Sequence, residues 1–195
     1  MASPDVKSQI IESATKYFSR FGFHKTTMDE IAKNIHKAKG VLYYYFRSKE
    51  ELFNEVLKQE LGVLKDALSA IVRSENNSLT ILTEYMLTRF RLLNGAVNYH
   101  ETLKADFFEK YNFVKDVRDD FDAFEQTQLT AIIEQGNAEG YLNVKDVGHT
   151  VDVAMMIIKS IEIPLFLQDK YNSYENTLQD LINMITGSLS LPHRS

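Results

Sequence analysis

The sequence predicts an all-α protein, and three observations carry that prediction. Apolar residues recur at i, i+3 and i+4 spacing through almost the whole chain rather than in alternation. Only three prolines and eight glycines interrupt 195 residues, too few to punctuate a set of short strands. Cysteine is absent, so no disulfide framework or thiolate zinc site replaces a packed core, and a chain of this length can bury one.

The elements follow in order. A first helix is predicted from about Pro4 to Phe21: Ser3 can cap it, Pro4 fits its first turn, and Ile10, Ala14, Tyr17, Phe18 and Phe21 form one apolar stripe that ends at Gly22. A second, about Met28 to Ile35, begins at Thr27. The Thr27 hydroxyl can accept the Glu30 N–H while the Glu30 carboxylate reaches back, the reciprocal arrangement of a capping box. After the turn His36-Lys37-Ala38-Lys39, a third helix is expected over about Ala38 to Phe46, with Leu42 and Phe46 at i and i+4 as its buried edge. Ser48, with Glu51 three residues on, restarts the chain as a longer helix to about Val72.

Beyond the polar stretch Ser74 to Ser78, helices are predicted at about Leu79 to Leu93, Tyr99 to Glu109, Val114 to Glu139, Asp146 to Gln168 and Tyr174 to Leu189, about nine in total. Gly140-Tyr141-Leu142 is a break, and Pro164 should kink or end its helix. The expected architecture is an N-terminal three-helix helix-turn-helix head, residues 1–50, joined by the long helix to a helical bundle, residues 51–195.

Charge is uneven. Residues 1 to 50 hold nine Lys and Arg against five acids, a balance of +4, which leaves -9 on the remainder of a chain whose net charge is -5. A basic head on an acidic body suits a protein that offers only its head to a polyanion. A helix-turn-helix lays its second helix in the major groove, about 12 Å wide. With Leu42 and Phe46 turned inward, the opposite face of helix three carries Lys39, Gly40, Tyr43 and Tyr44. Glycine lets the backbone come close, tyrosine hydroxyls donate to phosphates, and Lys37, Lys39 and Lys49 supply salt-sensitive charge contacts.

The segment resembles the head of the TetR family of transcriptional repressors. The resemblance rests on Thr27, Ile31-Ala32, Lys39-Gly40, Leu42-Tyr43-Tyr44-Tyr45-Phe46 and Ser48-Lys49-Glu50-Glu51-Leu52, in order and spacing, over about residues 5 to 55. It implies phosphate contacts at Thr27, Tyr43, Tyr44, Tyr45 and Lys49, and groove contacts at Lys39, Gly40 and Val41. The chain departs from the family in the turn, where Ile35-His36-Lys37-Ala38 replaces a usual Ala-Gly-Val-Ser run. His36 enters a left-handed conformation less easily than glycine, and Ala38 has no side-chain oxygen with which to cap helix three.

For the body the resemblance implies a ligand-binding and dimerisation domain, with a pocket in the early body helices and a dimer interface on the last two long ones. The segments Val147 to Leu165 and Leu178 to Leu189 are apolar on more than one face, which predicts burial against another chain and hence a homodimer on a palindromic operator. Pocket candidates are Met86, Arg89, Phe90, Leu93, Tyr99, Leu103, Phe107, Phe121, Phe124, Met155 and Met156. Arg89 stands out as a partner for a ligand carboxylate or phosphate, with Glu84 and Asp106 as its alternative partners.

The function expected is therefore a ligand-responsive DNA-binding repressor, released from double-stranded operator DNA by a small apolar or amphipathic effector. The alternative is a helical protein-interaction or coactivator module that keeps the fold without binding DNA. No enzyme, cofactor or metal is expected. His149 and Asp152 lack a ligand set, no Gly-rich phosphate loop occurs, and no serine lies in a nucleophile elbow. With no apolar run near the roughly 18 residues of a spanning helix and no signal-type segment, a soluble cytoplasmic protein is expected, without a membrane partner.

Overall fold

The computed structural model describes residues 5–104 and 112–190. Among these residues the chain forms nine α-helices: α1 Val6–Lys25, α2 Met28–Asn34, α3 Lys39–Tyr45, α4 Lys49–Val72, α5 Ser78–Gly95, α6 Val97–Glu101, α7 Lys115–Glu139, α8 Val147–Ser160 and α9 Tyr171–Leu189. A 3-10 turn, Asn112–Val114, and a π-helical turn, Ile163–Leu167, complete them. The fold is all-α, and it opens with the helix-turn-helix head. Two compact units emerge from packing, Met1–Gly62 with Ala96–Arg118, and Val63–Gly95 with Asp119–Ser195. The expected division at residue 50 follows the order of the chain, whereas the observed one assigns α6 and the 3-10 turn to the head.

In the first unit α1 is capped by Asp5, whose carboxylate accepts the Lys7 N–H at 3.3 Å; the expected start at Ser3 and Pro4 lies outside the described residues. Gly22 breaks the helix as expected, with φ 79° and ψ 164°, a region open essentially to glycine alone. A further turn then carries the chain to Lys25. Thr26, fully buried, closes that turn by donating its hydroxyl to the Gly22 and Tyr17 carbonyls at 2.9 and 3.2 Å. The core is aromatic: the Phe18 and Phe23 rings each lie 5.0 Å from Phe53, and Phe113 of the 3-10 turn stacks 5.3 Å from Phe23. Rings buried in this way contribute about 1.5–3 kcal/mol each. Glu60 of α4 receives the Asn98 side-chain amide at 2.7 Å and the Tyr99 N–H at 3.1 Å, so it caps the N-terminus of α6. Burial raises the pKa of this carboxyl group.

In the second unit α5 packs along α9. Its core gathers Tyr85, Met86, Phe90, Phe121, Leu129, Ile133, Val151, Ile158 and Ile182, all buried. The break after α7 has a structural purpose. Leu142 pairs with Ser190 across an antiparallel bridge and lies so close to Gly136 that a Cβ there would meet its Cδ1 at 2.5 Å. The helix expected from Asp146 to Gln168 ends instead at Ser160, capped at its start by Asp146. Pro164 sits at the start of the π-helical turn that follows, where its missing N–H is tolerated.

Candidate nucleic-acid interface

α2 and α3 are held at a fixed angle by ordinary local forces. The capping box at Thr27 forms as expected: its hydroxyl accepts the Glu30 N–H at 3.3 Å, and the Glu30 carboxylate accepts the Thr27 N–H at 2.9 Å and the Thr27 hydroxyl at 2.7 Å. Those bonds hold the Glu30 carboxyl below the usual range, the side-chain bond first. At the other end, Asn34 donates to the Ser13 hydroxyl of α1 at 3.0 Å.

The turn closes as a Schellman motif. The Lys37 N–H reaches the Ala32 carbonyl at 3.0 Å and the His36 N–H reaches the Lys33 carbonyl at 3.1 Å, with His36 at φ 53°. A histidine here adopts the conformation that glycine adopts without strain. His36→Gly is expected to raise the denaturation midpoint and stabilise the head by about 0.5–1 kcal/mol, part of the gain being lost to the freer unfolded chain. Chemical denaturation checks this. Ala38 makes no side-chain cap, again as expected.

Leu42 and Phe46, 0% and 2% exposed, anchor α3. That fixes what faces outward. Lys37, Lys39, Gly40, Tyr43 and Tyr44 are exposed, Tyr44 at 83%, while Val41 and Tyr45 are half-buried. The Tyr44 and Tyr45 rings meet edge to face at 5.1 Å. A shallow open groove runs along this surface, lined by Val6, Lys37, Gly40, Val41, Tyr44 and Tyr45. Sequence reasoning missed Val6, because no periodicity marks the first residue of a helix as the neighbour of a helix 35 positions on.

Two lysines behave differently. Lys39 pairs with Asp29 at 3.2 Å, both side chains about half exposed, and such a pair contributes little enough to be exchanged for a phosphate. Lys49 is turned inward. Its ammonium donates to the Phe23 carbonyl at 2.8 Å and the Thr26 carbonyl at 3.1 Å, and sits 4.3 Å from the centre of the Phe23 ring. Burial lowers its pKa. The ammonium from which a phosphate contact was expected thus caps the C-terminal carbonyls of α1. Lys49→Ala is expected to cost about 1 kcal/mol of head stability and to leave the salt dependence of DNA binding unchanged; a reduced slope in titrations at two salt concentrations would restore the phosphate role.

The body candidates fall in both units. Tyr99 and Leu103 belong to the first unit, whereas Met86, Arg89, Phe90, Leu93, Phe121, Phe124, Met155 and Met156 belong to the second; Phe107 lies outside the described residues. Met156 is 66% exposed. Met86 lines an apolar cavity of 140 Å³.

Arg89 is fully buried and committed. It forks onto Glu125, with Nη2 to Oε2 at 3.0 Å, and also gives Nη2 to Glu162 at 2.5 Å. Lys159, bonded to Asp122, stands 3.9 Å from both glutamates. The side chain expected to anchor a ligand anion is thus engaged by two buried glutamates; Glu84 is not among the partners described, and Asp106 lies outside the described residues. These two glutamates are 36 and 73 positions away, beyond any helical spacing.

Comparison with known proteins agrees with the head. Residues 10–56 match the family described as bacterial regulatory proteins, tetR family. An uncharacterized HTH-type transcriptional regulator of Bacillus subtilis, YhgD, is 46% identical over 146 residues, covering 74% of this chain and 60% of that regulator's length. The HTH-type transcriptional regulator QacR of Staphylococcus aureus is 26% identical over 169 residues, 80% of this chain and 84% of QacR. A crystal structure of a transcriptional regulator from Cytophaga hutchinsonii superposes with a TM-score of 0.77 at 23% identity, covering 94% of this chain and 98% of that one. Among the described residues no helix is long and apolar enough to cross a membrane.

Proposed function

We propose that this chain, which belongs to the tetR family of bacterial regulatory proteins through its head, residues 10–56, is a transcriptional repressor that binds a palindromic operator as a homodimer and is released by a small effector. The observation that carries the reading is the outward face of α3. Leu42 and Phe46 bury one side of a seven-residue helix, and the other side offers Lys39, Gly40, Tyr43 and Tyr44 to solvent beside Lys37. A folding requirement accounts for the first pair and for none of the second group. Lysines beside exposed tyrosines on a helix that can enter the major groove suit a phosphate backbone flanking base edges. Thr27, Val41 and Tyr45 border the same face.

A second copy of the chain is supported by apolar residues with nothing to cover them. Val153 and Met156 of α8 and Met184 of α9 are 36%, 66% and 72% exposed. A symmetric pairing of these helices would cover them and present two α3 helices to successive major grooves. An effector then acts by binding one dimer arrangement better than the other, and the loss of operator affinity equals that difference.

The test is selection of duplexes from a random pool, followed by titration at several salt concentrations. A palindrome should be enriched, and log K should fall linearly with log salt, at about 0.9 per phosphate neutralised. Sedimentation at micromolar concentration should report a dimer. Enrichment of no palindrome, with affinity indifferent to salt, would favour the protein-interaction module instead.

A further inference from the structure

The cavity of 140 Å³ in the second unit is walled by α5, α7, α8 and α9. Its floor is Leu82, Met86, Leu129, Ile133 and Ile182, all buried. Short side chains, Ala154 on α8 and Ser188 on α9, stand where longer ones would fill the space. Three hydroxyls reach the wall, and each is spent on its own helix: Thr150 donates to the Asp146 carbonyl at 2.8 Å, Thr186 to Ile182 at 3.0 Å and Ser188 to Ile185 at 2.7 Å. Among the described residues no charged side chain lines it.

These facts decide what can occupy the space. Water needs two to four polar partners to enter a cavity, and a wall of methyl and methylene groups with internally bonded hydroxyls does not supply them. A charged ligand would lose its hydration with no counter-charge in return. An uncharged apolar molecule restores dispersion contacts that the wall atoms lack. An apolar cavity of about 150 Å³ is large enough to hold benzene.

We infer that this cavity is a binding site for one small, uncharged, apolar molecule of about six heavy atoms, such as an aromatic ring or a compact alkane. Of the pocket candidates the sequence offered, it shares Met86, and Arg89 is not among its described lining residues. Its mouth lies on α8 and α9, among Val153, Ile157 and Ile185, so a dimer built on those helices would seal the occupant in. The regulatory meaning of the site rests on the repressor reading above, whereas its existence does not.

Benzene is the probe. At tenfold over its dissociation constant it should raise the melting temperature of the full chain by roughly 3–6 °C, and in methyl spectra it should shift Met86, Ile133 and Ile182 ahead of all surface methyls. Benzylammonium, of similar shape but charged, should do neither. Ala154→Leu and Thr186→Ile, made separately, should each fill the space and abolish the benzene response. The inference is overturned if benzene gives no shift, if benzylammonium matches it, or if the response survives both fillings. It is also overturned if benzene dissociates the dimer in sedimentation, because a methionine of the second copy would then be the occupant. Operator titration without benzene keeps the two ideas apart, since its failure removes the repressor reading and leaves the thermal and spectral result standing.

Discussion

Replacing Arg89 by methionine should cost about 3–5 kcal/mol and leave the second unit partly or wholly unfolded at room temperature. Methionine fills similar volume, so the loss is electrostatic rather than a cavity. It takes the guanidinium from Glu125 and Glu162, 0% and 1% exposed; among the described residues Lys159, itself bonded to Asp122, stands 3.9 Å from each. Removing one member of a buried pair is far dearer than never having built it, because the remaining charge keeps its desolvation. The companion variant makes the cause visible. Arg89→Met with Glu125→Leu and Glu162→Leu removes all three charges and should recover most of the loss. Urea denaturation of the full chain measures both, and the strong coupling between neighbours appears as non-additivity. A single-variant loss under about 1 kcal/mol would mean that the network is solvated after all.

Gly40→Ala should move stability and binding in opposite directions. Gly40 is exposed, and a Cβ added there meets nothing within 4 Å. No left-handed backbone requires glycine at this position, and alanine is the better helix former by about 0.5–1 kcal/mol. The head should therefore become harder to unfold. If α3 enters the major groove through this surface, the added methyl group stands where the DNA must approach, and a loss of about tenfold in operator affinity, roughly 1.4 kcal/mol, is expected. Unfolding and duplex titration on the same preparation decide the matter. A variant both more stable and equally tight on operator would place the groove contact elsewhere on α3.

The two cases divide what was legible in advance. The capping box at Thr27, the glycine break at Gly22 and the buried pair Leu42 and Phe46 were all readable, because each is a rule about residues within one or two helical turns. The left-handed His36 and the uncapped Ala38 were readable for the same reason. Lys49 was misread. It looks like a surface cation in a basic segment, and only the return of α1 beneath it, 23 to 26 positions earlier, converts it into a helix cap. The pairing of Arg89 was hidden for the same cause, its described partners coming from α7 and from the segment that follows α8.

Periodicity and capping chemistry act over a few residues, so the sequence alone determined the helices, their apolar faces and the basic, tyrosine-rich surface of α3. Charge pairing and cavity shape depend on which helices meet. The tertiary structure therefore decided which cations are free to meet a phosphate, which are consumed by carboxylates or carbonyls inside the fold, and where apolar space is left unfilled.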